Sequence, residues 1–185
     1  AEQLSVWYLM ISYEYLKTAK AISDQVHELI NSKGNPPYRD ENTNSFFANL
    51  KNKVIFNCNN CLKFIEEALK LNPNPQFKDE DDATQDSKSV RSLCFYELGS
   101  IEYRSMNYSK AIDHFQNSFN SDPNQISIFQ LALSTIKLPV EGGGGIFSGK
   151  KTEEAIANKK NQEIELLKKT IQFGPFSPIG IQAAS

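Results

Sequence analysis

The sequence is poor in the residues that most often carry chemistry. Its 185 residues include two histidines, three cysteines, one tryptophan and only three arginines among 20 basic residues. An odd number of cysteines argues against a disulfide framework and favours a reducing compartment. Few arginines leave little capacity for bidentate recognition of phosphate or carboxylate groups. The cytoplasm is therefore the expected location, and a removed signal peptide stays open as the alternative.

A strong field of one sign and a long apolar run are also missing. The basic residues are balanced by 22 acidic ones, which gives a formal net charge of -2. No surface positive enough to hold nucleic acid is expected from this balance. The longest apolar run near the start, Val6–Ile11, is too short to cross a bilayer, so no membrane insertion is expected. What is present, 39% hydrophobic residues, is enough for the core of a soluble domain.

Apolar residues recur at helical spacing along nearly the whole chain. Over 3–32 the stripe comprises Leu4, Tyr8, Ile11, Tyr15, Ala19, Ile22, Val26 and Leu29. A second stripe, from Phe47 to Ala68, predicts a helix over 44–71. Further helices are expected over 87–105, from the break at Asn107-Tyr108 to about 120, and over 125–138. A last long helix is expected from an N-cap at Thr152 to 173. No alternating strand pattern is sustained, so the predicted fold class is all-α.

The predicted helices form a single domain over 1–185. Its parts are a long N-terminal helix pair (1–73), an acidic connector (74–91), a clear repeat (92–125), a divergent repeat (126–175) with a Gly-rich insertion (139–150), and a tail (176–185). Asp79–Asp82 lacks the glycine and the distal glutamate of a calcium loop, so the connector is expected to be a solvated linker.

One stretch carries a family motif. Phe95, Leu98-Gly99, Tyr103, Tyr108, Ala111, Phe115 and Asp122-Pro123 resemble the tetratricopeptide repeat, a 34-residue helix–turn–helix unit. Small Gly99 and Ala111 let two antiparallel helices approach closely. Two positions depart from the family pattern: Glu102 stands where an aromatic residue is usual, and Ser118 stands where alanine is usual. The resemblance covers 92–125 well and 126–175 loosely, and it implies antiparallel hairpins stacked as a short right-handed solenoid.

The resemblance also implies a function, that of a protein–protein interaction scaffold without enzymatic activity. In this family a groove formed by the first helices of successive repeats binds a peptide or helix of a partner. The matching positions here are Leu93, Tyr96, Ser100, Tyr103, Ser127, Gln130, Ser134 and Lys137. Solvated helix faces are the alternative for these positions. A structural subunit of a homo-oligomer or larger complex, or the scaffold part of a longer protein, are the alternatives for the whole chain.

One subclass of the family clamps the C-terminal carboxylates of chaperones with lysine, asparagine and arginine. At the corresponding positions this chain has Leu93, Tyr96, Glu97 and Ser100. Binding of chaperone tails is therefore not expected, and the ligand is expected to be held by aromatic and neutral polar contacts.

The remaining chemical candidates are weak. Gly144–Lys151 is one residue short of a P-loop and has lysine where a magnesium-binding hydroxyl is needed. Cys58 and Cys61 share one helical stripe and are expected to be buried structural thiols. His27 has no catalytic companion, and His114, next to the core residue Phe115, is expected at the surface. No catalytic residue, metal or cofactor is therefore expected.

Overall fold

The computed structural model describes residues 1–139, 149–174 and 177–184. This part of the chain is 80% helix, which confirms the all-α class. The elements are α1 (Glu2–Lys33), α2 (Glu41–Leu71), β1 (Gln76–Lys78), β2 (Thr84–Asp86), α3 (Ser87–Arg104), α4 (Tyr108–Ser121), α5 (Gln125–Lys137), α6 (Gly149–Phe173) and α7 (Pro178–Ala184). No helix within these ranges is long and apolar enough to span a bilayer.

The start of α6 differs from the sequence prediction, because the helix begins at Gly149, and Thr152 therefore lies inside it and is not its N-cap. Helix α3 begins at Ser87, as its helical pattern predicts, so the last residues of the segment assigned to the acidic connector, 87–91, belong to this helix. Most of the Gly-rich insertion and of the P-loop-like segment lies outside the described residues.

Polar side chains fix several helix starts. Asp40 accepts a hydrogen bond from the Thr43 N–H at 2.7 Å, and Asn124 accepts one from the Ser127 N–H at 2.9 Å. Asp86 and Ser89 form a capping box at the start of α3. Because these side chains satisfy N–H groups that have no partner within the helix, each stabilises the start that it caps.

Helices α1 and α2 form a long antiparallel hairpin. Tyr8 and Tyr15 of α1 both contact the ring of Phe64 in the second half of α2, with centroid distances of 6.0 and 5.7 Å. The cysteines of α2, Cys58 and Cys61, are completely buried, as predicted. Cys94 of α3 joins them and donates to the Cys58 carbonyl oxygen at 3.2 Å. The three thiols therefore tie α3 to the first hairpin.

The α3–α4 hairpin shows the close approach that the motif predicts. A Cβ atom placed on Gly99 would lie 2.7 Å from Cδ1 and Cε1 of Phe115, closer than real carbon atoms come. Phe115 and Ala111 are both completely buried. Glycine at 99 is thus required by the position of a fully buried aromatic ring on the neighbouring helix.

Both departures from the family pattern have structural partners. The Glu102 carboxylate is nearly buried and pairs with Lys51 Nζ of α2 at 2.8 Å. The Ser118 hydroxyl donates to the Ser92 carbonyl oxygen at 2.7 Å and contacts the Ser127 hydroxyl at 2.7 Å. Each polar side chain therefore joins helices where an apolar one would ordinarily fill space.

The acidic connector is folded, contrary to the expectation of a solvated linker. Strands β1 and β2 pair as an antiparallel hairpin, although the sequence predicts no strand. Phe77 of β1 packs edge-on against Tyr13 of α1 at a centroid distance of 5.5 Å. Asp79 accepts hydrogen bonds from Gln85 Nε2 at 2.7 Å and from the Ala83 N–H at 2.9 Å. These bonds hold the pKa of Asp79 below its ordinary value, with the bond from Gln85 contributing most.

His114 also differs from its prediction. It is partly buried and its ring stacks on Phe95 at a centroid distance of 6.3 Å, so it does not point freely to the surface. Burial lowers its pKa from the ordinary value.

The C-terminal elements are joined to the rest through Gln125 at the start of α5. Its side-chain amide donates to the carbonyl oxygens of Thr170 and Gly174, at 2.9 and 3.0 Å. Its oxygen accepts from Ser177 just before α7, at 2.8 Å. One side chain thus connects α5, the end of α6 and the start of α7.

Candidate functional site

A large cavity of about 580 Å³ lies between α1, α3 and the start of α5. Its walls are mainly the apolar side chains Tyr13 and Leu16 of α1, Leu93 and Tyr96 of α3, and Ile126 of α5. Leu93 and Ile126 are 47% and 42% exposed, which is high for side chains of this size and type. The large cavity therefore presents apolar surface that has no cover within the described residues.

A small cavity of about 240 Å³ continues this surface toward the C-terminal ends of α1 and α3. It is lined by Tyr96, Ser100, Tyr103 and Arg104 of α3, by Gln130 of α5, and by His27, Ile30 and Asn31 of α1. Tyr96 lines both cavities. We refer to the two cavities together as the groove.

The three helices that line the groove run in the same direction. The large cavity is lined by residues 13–20 of α1, 89–97 of α3 and 126–127 of α5, and the small cavity by later residues of each helix. Moving along the groove therefore means moving from N- to C-terminus on all three helices. Helices α2 and α4 provide the antiparallel return between them, and α1 also packs directly against α3.

Six of the eight residues predicted for the groove do line it. Leu93, Tyr96 and Ser127 line the large cavity, and Tyr96, Ser100, Tyr103 and Gln130 line the small one. The prediction fails at its C-terminal end. Ser134 is completely buried and donates to the Gln130 carbonyl oxygen of its own helix at 2.8 Å. Lys137 is exposed but lines neither cavity.

The two predicted tyrosines have packing roles besides lining the groove. The Tyr96 ring lies 5.7 Å from the Phe115 ring, and the Tyr103 ring lies 5.4 Å from the Tyr108 ring. Burial raises the pKa of both phenols. Truncating either tyrosine would therefore disturb the α3–α4 hairpin as well as the groove.

The sequence prediction omits one whole wall of the groove, which α1 provides. The buried core stripe of α1 comprises Ser5, Leu9, Ser12, Leu16, Ala19, Ser23 and Val26. Tyr13, Lys17 and Lys20 lie beside this stripe at spacings of four and three residues. The family motif is clear only over 92–125, so nothing in it points to α1. The spacing of these three residues is the signal that identifies a second, semi-polar face next to the core stripe.

A hydrogen-bonded serine cluster forms the floor of the large cavity where α3, α4 and α5 meet. Ser92, Ser118 and Ser127 are buried, and Asn124 Nδ2 donates to Ser92 Oγ at 3.2 Å. The Ser92 hydroxyl donates to the Ser118 carbonyl oxygen at 2.9 Å. Since these hydroxyls bond to one another and to the backbone, they fix the floor and leave the apolar walls as the main contact surface.

Some charged side chains at the large cavity have ion-pair partners, and Glu97 has none among the described residues. Lys17 Nζ pairs with Glu14 at 2.8 Å and with Glu80 at 3.5 Å, and Lys20 pairs with Asp24 at 3.6 Å. Glu97, also on the cavity wall, has no cation within salt-bridge distance among the described residues. Burial raises the pKa of Glu97, and the nearby Ser23 hydroxyl, Lys20 and Arg104 offset only part of that effect.

No group of three or more His, Cys, Asp or Glu within the described ranges is placed to hold a metal ion. No protein-family model matches the chain, and no curated protein is significantly similar to it.

Proposed function

We propose that this chain is a non-enzymatic scaffold similar to the tetratricopeptide repeat proteins, and that its groove binds a peptide or helix of a partner protein. The hairpins α1–α2, α3–α4 and α5–α6 would be successive units of a short right-handed solenoid. The observation that carries the proposal is the groove itself, which three helices line in the same direction and whose larger cavity is mainly apolar. A channel of this form accepts an elongated segment that lies along the helices.

Exposed apolar side chains supply the driving force for binding. Leu93 and Ile126 stand on either side of the large cavity and are both more than two-fifths exposed. Covering such side chains removes apolar area from water, which stabilises a complex by about 25 cal/mol per Å² before the costs of association. The tyrosines beside them add contact area at low entropic cost.

The proposal is tested by selecting short random peptides on the immobilised full chain and titrating the selected peptides against variants. Leu93→Ala and Ile126→Ala truncate exposed side chains, so both variants should fold like the parent. Each should raise the Kd about five- to thirtyfold, which corresponds to about 1–2 kcal/mol. Phe56→Ala is the control, because Phe56 is 63% exposed on α2 and lines neither cavity. Equal affinity for the parent and both groove variants would contradict the proposal.

A second candidate function, assembly into a homo-oligomer, is favoured by one other surface. Leu4, Trp7 and Ile11 follow one another at spacings of three and four on α1 and are 42%, 56% and 41% exposed. They form an apolar strip on the first helix of the first hairpin. Strips of this kind commonly mark interfaces between proteins.

The assembly candidate makes its own prediction, because Trp7 is the only tryptophan of the chain. If the strip is a self-interface, the mass from light scattering should rise with concentration while Trp7 fluorescence shifts to the blue. Trp7→Ser should abolish the rise in mass. A constant monomer mass over the accessible concentration range would remove this candidate.

A further inference from the structure

Among the charged residues that line the large cavity, Glu97 has the surroundings that are least favourable to its charged form. Its carboxylate shares the mainly apolar cavity with Leu16, Leu93 and Tyr96, and the groups that favour its charge are the Ser23 hydroxyl and the more distant Lys20 and Arg104. Burial in these surroundings disfavours its charged form. Glu97 is partly buried and has no ion pair among the described residues. Partial removal of a carboxylate from water without a cationic partner is unfavourable, and ionisable groups in such surroundings cluster at functional sites.

The cations nearest to Glu97 are already engaged elsewhere. Lys20 pairs with Asp24, and Arg104 Nη1 donates to the Ser23 carbonyl oxygen at 3.1 Å. Lys17 is held by Glu14 and Glu80. An anionic ligand would therefore compete with the acidic partners that these lysines already have, whereas a cationic ligand would find Glu97 without an ion pair among the described residues.

A second acidic residue extends the same preference. Asp122 lines the cavity at the α4–α5 turn and is exposed, and its carboxylate has no ion pair among the described residues. The two charged residues of the large cavity that have no ion pair among the described residues are thus both acidic, while its walls are mainly apolar.

We propose that the groove selects a partner segment in which a basic side chain is flanked by apolar side chains, with the basic group pairing with Glu97. This inference rests on the proposed function and adds the chemical class of the ligand. The apolar neighbours cover Leu93 and Ile126, and the aliphatic stem of a lysine or arginine passes along the same apolar wall. Because a bound segment covers the partly buried Glu97 further, an ion pair formed there discriminates against a neutral segment, which would leave the covered carboxylate unpaired.

The test is a double-mutant cycle between the protein and its peptide. Short peptides are selected from a random library on the parent protein, and each is also made with its lysine replaced by norleucine or its arginine by citrulline. Both forms are titrated against the parent, Glu97→Gln and the control Glu66→Gln, which removes an equal charge from an exposed position on α2. Glu97→Gln relieves an unfavourable burial, so the variant should fold at least as well as the parent.

The expected result is that the selected peptides contain a basic residue and lose about tenfold or more in affinity for the parent when it is neutralised. The loss should be much smaller for Glu97→Gln and unchanged for Glu66→Gln. Peptides that bind the groove without charge preference, or a charge preference that survives in Glu97→Gln, would overturn this inference and leave the proposed function standing. Selected peptides whose affinity is insensitive to Leu93→Ala and Ile126→Ala, or failure to select any peptide, would overturn both.

Discussion

The contact between Gly99 and Phe115 makes a quantitative prediction about stability. Gly99→Ala places a methyl group 2.7 Å from two ring carbons of a residue that is completely buried. Since the ring is completely buried, the overpacking should cost about 1–3 kcal/mol. Alanine is the better helix former by about 0.5–1 kcal/mol, which offsets part of this cost. The net expectation is that the free energy of unfolding falls by about 1–2 kcal/mol.

The assay is urea denaturation followed by far-UV circular dichroism, carried out as a cycle with Phe115→Leu. The smaller leucine is destabilising by itself, because it leaves a cavity. It also removes the ring atoms that the new methyl group meets, so Gly99→Ala should become neutral or stabilising in that background. The two substitutions should therefore couple by at least about 1 kcal/mol.

A control separates packing from helix propensity. Asn49→Ala replaces a poor helix former at an exposed position of α2 and should stabilise slightly. If Gly99→Ala is as harmless as Asn49→Ala in the parent background, α3 and α4 do not approach as described, and the reasoning is refuted.

Three further predictions follow from buried polar groups. Lys51→Met leaves the nearly buried Glu102 carboxylate without its partner and should lower the free energy of unfolding by about 1.5–3 kcal/mol in urea denaturation; an unchanged midpoint would mean that the pair contributes nothing. Because the pKa of Glu97 is raised in the fold, the protonated side chain favours the folded state. Its contribution to the free energy of unfolding is present below the unfolded-state carboxyl pKa and is lost as pH rises through the folded pKa. Glu97→Gln should therefore gain stability relative to the parent as pH rises through that range, since the neighbouring Lys20, Arg104 and Asp24 are common to both proteins. A pH-independent difference would contradict the cause assigned to the shift. Hydrogen bonding with Cys58 and Cys61, and after it burial, raises the pKa of the Cys94 thiol. This thiol should therefore resist alkylation in the native protein and react only on unfolding, and fast labelling of the native protein would show that the cluster is open.

The helices could be predicted from the sequence because their signals are local. Apolar stripes of three- and four-residue spacing mark α1 and α2 to within a few residues, and Gly34 marks the end of α1. The α3–α4 contact was also predictable, because the small residues Gly99 and Ala111 stand at the motif positions where two helices approach closely. Patterns of this kind depend on neighbours within one or two turns.

The features that sequence reasoning missed depend on distant partners. Strands of three residues are too short to show alternation, so β1 and β2 gave no signal. Glu102 acquires its role from Lys51, which lies 51 residues earlier in the chain. Glu97 is partly buried because α1 forms the other wall of the cavity, and the residue pattern of α3 alone does not predict that contact. The candidate site was therefore predictable on α3 and the start of α5, whereas on α1 the sequence offers only the spacing of Tyr13, Lys17 and Lys20, which marks a face without showing what it borders.

Photo-crosslinking of a selected peptide tests the central claim most directly. The peptide carries a diazirine at an apolar position, is irradiated with the full chain, and the crosslinked residues are identified by mass spectrometry. The account predicts crosslinks within 13–31 of α1, 89–104 of α3 and 126–130 of α5, with the labelling lost on competition by unmodified peptide. The claim that the groove is the binding site would be contradicted if the crosslinks that unmodified peptide abolishes were confined to the strip at 4–11 of α1 or to the surface of α2 around Phe56.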